Sequence, residues 1–161
     1  MAESLDAYDW KLLRALQGDS RLTHVQLSEQ VNLSPSQCAR RLQRLEALGV
    51  IRGYTMVVDQ KKVGLGLTAL VHITLERQAA ATVEPTREAL LAMPEVVECL
   101  MVTGDYDYQL KVVVRDLEAL STFINTKLMA LPGLQTMRSN VVLDQPKPYE
   151  GLPLGQNAGA R

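Results

Sequence analysis

The chain opens with short stretches in which apolar residues recur at the spacing of an α-helix. Asp6 is placed to cap the first stretch, with Asp9 at its third helical position. Thr23 is placed to cap the second, with Gln26 completing a capping box, and the tight turn at Asn32 follows it. The pattern predicts two short helices that meet at this turn.

A third stretch carries the same signals more strongly. Ser34 is placed as its cap, Pro35 as the first helical residue and Gln37 as the third, and Gly49 is placed to end the helix. Its apolar positions recur on one face, which predicts packing against the first two helices. These inward positions are Cys38, Leu42 and Leu45.

The outward side of the third helix is polar and basic. Two short helices, a turn and a third helix of this kind are typical of a helix-turn-helix, whose last helix enters the major groove of DNA. The candidate DNA contacts are Ser34, Ser36, Gln37, Arg40, Arg41 and Arg44. Because Gln suits adenine and Arg suits guanine, Gln37 and Arg40 are predicted to read bases. Arg41 and Arg44 lie farther back and are predicted to contact phosphates. A three-helix bundle that binds protein remains an alternative.

After the helix-turn-helix the pattern changes to strands. Residues 50–54 are expected to start a strand, as a small wing, and the glycine-containing segment 59–66 is expected to be a linker. Beyond it, alternation predicts strands over residues 67–75, 96–102, 106–114 and 134–143. Helices are predicted over residues 84–93, with Pro85 in the first turn, and over residues 117–131.

The order β-α-β-β-α-β predicts a ferredoxin-like domain, in which both helices cover one face of the sheet. The fold class is therefore α+β. The expected division is a DNA-binding domain at 1–58, the linker at 59–66, the ferredoxin-like domain at 67–146 and a C-terminal tail at 147–161. The second sheet face is also expected to be apolar, which favours a symmetric dimer. Its predicted members are Leu70, His72, Val97, Cys99, Met101 and Val113, with His72 as an interface residue.

Composition excludes several classes of protein. Cys38 and Cys99 stand far apart, without a CxxC motif, so we expect no disulfide framework, metal site or cofactor. No apolar run approaches the length of a membrane span and the first residues are acidic, so a cytoplasmic protein is expected. The net charge is −1, but four arginines and one acid lie between Ser34 and Arg52. A local basic face on a neutral protein suits contact with phosphates, although a solvated helix face is an alternative.

One polar cluster in the second domain is a candidate for ligand binding. It is the segment from Gly104 to Tyr108, at the turn between the second and third strands. Glycine lets a ligand approach the backbone, and the carboxylates of Asp105 and Asp107 can hold an ammonium group. Asp107 alternates with Tyr106 and Tyr108, so its side chain is expected to point away from the helix-covered core. A plain hairpin turn with solvated acids is the alternative.

Four stretches of the sequence resemble those of a known protein family: LDAYDWKLLRALQGDSRLT, VQLSEQVNLSPSQCARRLQRLEALGVIRGYT, VTGDYDYQLKVVV and LPGLQTMRSNVVL. Through them the chain, to about Leu154, resembles the Lrp/AsnC (leucine-responsive and asparagine-regulator) family of prokaryotic transcription factors. The resemblance implies a winged helix-turn-helix followed by a ligand-responsive, ferredoxin-like domain. It also implies homodimers that associate further, often as four dimers in an octameric ring.

The resemblance further implies an amino-acid effector bound between dimers. The effector contacts it implies are Gly104, Asp105, Tyr106 and Asp107, with Ser139 facing them from the last strand. Met137 stands where family members commonly have a smaller or polar residue. It favours an apolar effector such as leucine or methionine.

The sequence thus predicts a regulator that binds double-stranded DNA and responds to an amino acid. An amino-acid-sensing subunit that regulates an enzyme without binding DNA is the alternative. No nucleophile–base pair or glycine-rich phosphate loop is visible, so no catalytic residue is expected. An RNA-binding sheet needs exposed aromatics, whereas the third strand offers Gln109, Lys111 and Val113.

Overall fold

The computed structural model describes residues 5–76 and 80–154, with the backbone alone for residues 80–82. The chain forms two compact units, one of Met1–Val57 together with Lys147–Arg161 and one of Val58–Pro146. The described part of the tail, residues 147–154, groups with the first unit. No helix in the described ranges has the length and apolar character needed to cross a membrane.

The first unit contains the three predicted helices. They are α1 (Ala7–Gly18), α2 (His24–Val31) and α3 (Pro35–Ala47). Each begins with the predicted capping box, at Asp6, Thr23 and Ser34. Asn32 takes a left-handed conformation in the turn before α3, with φ of 57°. The core of the unit comprises Leu12, Leu16, Leu27, Val31, Cys38, Leu42 and Leu45.

The second unit has the predicted element order. It consists of β1 (Leu67–Leu75), α4 (Ala80–Leu91), β2 (Val96–Met101), β3 (Tyr108–Val114), α5 (Leu117–Phe123) and β4 (Leu134–Val141). The strands lie in the order β2-β3-β1-β4, and all three pairs are antiparallel. This is the ferredoxin-like arrangement, so the predicted α+β fold is confirmed. The core lies on one face of the sheet, where buried residues of β1 and β3 meet Leu90, Leu120 and Phe123 of the helices.

Two helices and one strand differ from the prediction. Pro85 lies inside α4, since that helix already includes Ala80, rather than in the first turn. The second predicted helix changes after Phe123 into a π-helical segment, Ile124–Leu128. Phe123 is buried beside the core residue Leu120, whereas Leu117, at the start of the helix, is 64% exposed. Residues 50–54 form no strand in the described part of the chain.

The predicted parity of β2 is wrong, because the strand contains an irregularity between Val96 and Glu98. Without it, an inward Val96 would place Val97, Cys99 and Met101 on the open face. The additional residue reverses the alternation, as a β-bulge does. Cys99 pairs with Leu110 and packs on the helix-covered core. The open face instead receives the side chains paired with that face of β3, namely Glu98 opposite Lys111 and Leu100 opposite Gln109.

Candidate DNA-binding helix and candidate effector loop

The orientation of α3 follows from its apolar face. Cys38 and Leu45 are fully buried and Leu42 nearly so, which fixes the opposite side of the helix toward solvent. Ser36, Arg40 and Gln43 are accordingly exposed, as the periodicity predicts. The predicted polar face of the third helix is confirmed.

Arg40 differs from the other arginines of α3. Its side chain is exposed and makes no hydrogen bond or ion pair with any residue within 5–76 and 80–154. It also lies in the N-terminal half of α3, where helix-turn-helix proteins contact base edges. A guanidinium without an intramolecular carboxylate partner has all its donors available to a ligand.

Arg41 is bound to α1 instead. One terminal guanidinium nitrogen of Arg41 donates to Asp6 Oδ2 at 2.7 Å and to Asp9 Oδ1 at 2.8 Å. Arg44 donates to Asp9 Oδ2 at 3.1 Å. The Asp9 side chain is 1% exposed, against 25% for Arg41 and 40% for Arg44. Two arginines predicted to face phosphates therefore hold α3 against the first turn of α1.

Two members of this cluster, Asp6 and Arg41, have shifted pKa values. Burial acts to raise the pKa of Asp6, but hydrogen bonds from the Asp9 backbone N–H and from Arg41 outweigh it and leave the pKa below its usual value. The hydrogen bond to Asp6 is the main cause that raises the pKa of Arg41. Both groups therefore stay charged near neutral pH, and the charge of Arg41 is compensated within the unit.

Sequence reasoning missed the role of Asp9, which it treated only as a capping partner. The signal was present, since Asp9, Leu12 and Leu16 share one helical face and all three are buried. An acid within an apolar stripe must find a cationic partner, because an unpaired buried charge costs several kcal/mol. Sequence spacing does not reveal that the partners lie on α3.

The cap of α3 engages three of the predicted DNA contacts. Gln37 Oε1 accepts from the Ser34 backbone N–H at 3.0 Å and from Ser34 Oγ at 3.1 Å. The hydroxyl oxygens of Ser34 and Ser36 are 3.1 Å apart. The carbonyl side of the Gln37 amide is thus occupied by the cap. Its NH₂ group is the part of the side chain suited to donate to a base.

In the second unit the candidate effector loop is anchored to the end of β1. The Asp107 backbone N–H donates to the Ile73 carbonyl at 2.8 Å, and Asp107 Oδ2 accepts from the Leu75 backbone N–H at 2.7 Å. The Thr74 hydroxyl reaches the Asp105 carbonyl at 3.4 Å. Gly104 has φ of 126°, a value that side-chain-bearing residues rarely adopt. Hydrogen bonds to β1 therefore hold the loop in a defined conformation.

Tyr106 lies on the open face of the sheet. Its ring is 4.2 Å from the His72 ring, centroid to centroid, and His72 Nε2 is 3.3 Å from Gln109 Oε1. Since His72 and Gln109 belong to the open face, the expected alternation of Tyr106 with Asp107 is wrong. Strand β3 begins only at Tyr108, and the turn before it does not follow the strand period.

The structure does not bring Ser139 to the loop within one chain. Ser139 pairs with Val71 on β1, whereas the loop meets β1 at Ile73 and Leu75 and lies on the side of β3. Met137 pairs with Ile73 and is closer to that end of the sheet. It borders an open cleft of about 400 Å³. The lining residues of the cleft are Glu76, Met129, Leu131, Gly133, Leu134, Gln135, Thr136 and Met137.

The described residues contain no group of three or more His, Cys, Asp or Glu side chains placed to hold a metal ion.

Comparisons with known proteins match both units. The family described as the Lrp/AsnC ligand binding domain matches residues 68–152, and the one described as winged helix-turn-helix DNA-binding matches residues 5–52. The leucine-responsive regulatory protein of Escherichia coli K12 is 38% identical over 145 residues, covering 90% of this chain and 88% of that protein. The transcriptional regulator AzlB of Bacillus subtilis is 35% identical over 156 residues, covering 97% and 99%. A transcriptional regulator of Neisseria meningitidis, solved in complex with L-methionine, superposes with a TM-score of 0.90 at 38% identity, covering 94% and 97%.

The buried carboxylate of Asp9 generates a stability prediction for the first unit. We expect Asp9→Ala to lower the free energy of unfolding by about 2 kcal/mol, since it leaves Arg41 and Arg44 without their shared partner. The loss stays below that of a fully buried pair because both arginines keep some contact with water. Urea unfolding followed by the fluorescence of Trp10, the single tryptophan, reports on this unit.

Glu29→Ala is the matched control, because Glu29 is an exposed acid on α2 of the same unit. Its substitution is expected to change stability by no more than about 0.5 kcal/mol. Equal effects of the two substitutions would show that the Asp9 cluster does not hold α3 in place.

Proposed function

Because the chain belongs to the Lrp/AsnC family of transcriptional regulators, we propose that α3 reads promoter DNA and that an amino acid bound by the second unit modulates this binding. The protein is a DNA-binding regulator with a ligand-binding domain, not an enzyme. The observation that carries the assignment of α3 is the exposed Arg40, beside two arginines that are held by α1.

Within α3 we assign distinct roles to the polar residues. Arg40 reads a base, because it is exposed and uncompensated. Gln37 donates to a base through its NH₂ group while its carbonyl oxygen stays in the cap, and Ser36 lies beside it. Arg44, partly exposed, contacts a phosphate. The main role of Arg41 is to position α3 against α1, and any contact that it makes with a phosphate is secondary.

The roles of Ser34 and Ser36 are inferred from their position at the N-terminus of α3. Ser34 stands at the N-terminal end of α3, where backbone N–H groups and the helix dipole favour a phosphate. Its hydroxyl orients the first turn of α3, through Gln37 and Ser36, toward the DNA backbone.

Arg40→Ala tests the assignment of α3. We expect affinity for the operator to fall by about 1–3 kcal/mol and the preference at one base pair to relax. Arg44→Ala should weaken binding to all sequences alike and reduce the salt slope by roughly one unit. Both are measured by mobility shift or fluorescence anisotropy across a salt series.

Arg87→Ala serves as the control, because Arg87 is an exposed arginine of the second unit whose partner is Glu84. Unchanged operator affinity is expected for it. If Arg40→Ala behaves like the control, α3 does not read bases through Arg40. If the wild type binds no promoter DNA, the amino-acid-sensing subunit becomes the better description.

For the effector, we infer an apolar amino acid such as leucine or methionine. The neighbour from N. meningitidis was solved with L-methionine, and in this chain Met137 borders the cleft at the loop end of the sheet. Ser139 and the loop from Gly104 to Asp107 lie on opposite sides of β1 in one chain. A site that uses both therefore takes them from different subunits, which favours a position between dimers.

We assign Asp107 to the ammonium group of the effector and the loop N–H groups around Gly104 and Asp105 to its carboxylate. Asp107→Asn is a sharp test, because the amide oxygen can still accept from the Leu75 N–H while the charge is lost. We expect affinity for leucine or methionine to fall about tenfold or more, from the strength of a charge-assisted hydrogen bond. Calorimetry against the twenty amino acids measures it.

Asp59→Asn is the control for the effector test, since Asp59 is an exposed acid of the segment between the units. It should bind as the wild type does. Binding of no amino acid by the wild type, or equal binding by Asp107→Asn, would remove this site assignment.

For assembly, we propose a homodimer formed through the open face of the sheet, with dimers joining into a larger, octameric state. The support is the set of half-buried residues on that face, among them Leu70 and His72 of β1. A dimer of this kind presents two copies of α3 to inverted half-sites about one helical turn, or a multiple of it, apart.

Leu70→Lys tests the dimer, because it places a second cation opposite Lys111 on the open face. We expect a shift toward monomer in sedimentation velocity at micromolar concentration. Leu117→Lys, on the exposed side of α5, should leave the sedimentation of the wild type unchanged. A wild type that sediments as a stable monomer would contradict the proposal.

A further inference from the structure

The C-terminal tail is joined to α1 by a two-way hydrogen-bond pair. Gln17 Nε2 donates to the Leu152 carbonyl at 2.6 Å, and the Leu152 backbone N–H donates to Gln17 Oε1 at 3.1 Å. One turn earlier on α1, Arg14 donates to the Leu154 carbonyl at 3.4 Å. The side-chain amide of Gln17 thus pairs with a peptide group as a neighbouring strand would.

Gly151 provides a second, independent sign that this contact is specific. Its φ of 112° is one that L residues rarely adopt. A Cβ atom at this position would also overlap the side chain of Gln17. The backbone conformation therefore favours glycine where the tail meets α1, and a larger residue there would displace the Gln17 side chain from its contact with the tail.

This contact links the tail, which follows β4 in the chain, to α1. The tail follows β4, which borders the cleft through Gln135, Thr136 and Met137. The tail lies on the C-terminal half of α1, whose N-terminal half holds Arg41 and Arg44 of α3. Helix α1 is therefore contacted by the tail toward its C-terminal end and by α3 at its N-terminal end.

We propose that residues 147–154 form a strap, docked on Arg14 and Gln17, that gives the DNA-binding unit a second attachment to the second unit. The first attachment is the segment 58–66. Residues 142–146 separate β4 from the strap and span at most about 18 Å when extended. Two short connections restrict the DNA-binding unit more than one does.

This restriction predicts a specific effect on DNA binding. Placing two recognition helices on two half-sites costs less orientational entropy when each unit is already confined. Release of the strap therefore weakens binding to an operator with two half-sites and has little effect on a single half-site. This part of the inference rests on the proposed function, whereas docking of the strap does not.

The test uses the full chain with Gly151→Ala and with Gln17→Glu, which keeps the size and the acceptor of the side chain but cannot donate to the Leu152 carbonyl. Gly18→Ala is the matched control, because nothing lies within 4 Å of a Cβ at Gly18. Hydrogen exchange of the Leu152 amide, without DNA or effector, reports on docking. We expect exchange at least tenfold faster in Gly151→Ala and faster in Gln17→Glu, with Gly18→Ala at the wild-type rate.

The DNA measurement uses anisotropy with duplexes carrying one or two half-sites. We expect both strap variants to bind two half-sites about five- to tenfold more weakly and one half-site within about twofold of the wild type, from the cost of ordering a released unit. Unchanged exchange at Leu152 in both variants would overturn docking of the strap. Faster exchange with equal losses on both duplexes would overturn its restraining role. A wild type that binds neither duplex contradicts the proposed function, while the exchange measurement still decides the strap.

Discussion

The first unit depends on one buried carboxylate. Asp9 lies in the apolar stripe of α1, where an ionised group is tolerated only if it is paired and hydrogen-bonded. Arg41 and Arg44 supply the partners, one turn apart on α3. Because these two side chains face α1, the ion pairs reinforce the rotation of α3 that its buried apolar face sets. With this rotation Arg40 is directed away from the core.

The pairing of Arg41 and Arg44 with Asp6 and Asp9 reduces the positive charge that α3 presents to solvent. Counted along the sequence, α3 is a cluster of arginines on a protein with a net charge of −1. In the structure, two of these arginines share the charges of Asp6 and Asp9. Non-specific attraction to DNA scales with the number of phosphates that are neutralised. If α3 reads DNA as we propose, the compensation of these arginines gives base contacts a larger share of the affinity than non-specific charge attraction.

Local signals in the sequence predicted the helix starts and the element order, because capping boxes and apolar periods act within a few residues. Non-local facts could not be found in this way. One additional residue after Val96 reverses every later side chain of β2, and the helix becomes π-helical after Phe123. Neither irregularity can be recognised from the spacing of apolar residues along the sequence. The loop was found by composition, but the capture of the Asp107 carboxylate by the Leu75 N–H depends on strand pairing.

Strand β1 connects the two proposed activities of the second unit. Its last residues hold Asp107 through the Leu75 N–H, and His72 in its middle contacts Tyr106 of the same loop on the open face. In the site that we propose, an ammonium group would bind the same carboxylate that accepts from the Leu75 N–H. Tyr106, the preceding residue, lies on the face through which we propose that subunits pair. A ligand shifts an assembly equilibrium only if it binds the two states differently. Because the loop contributes to both the proposed site and the proposed interface, a change in its position would alter both contacts at once.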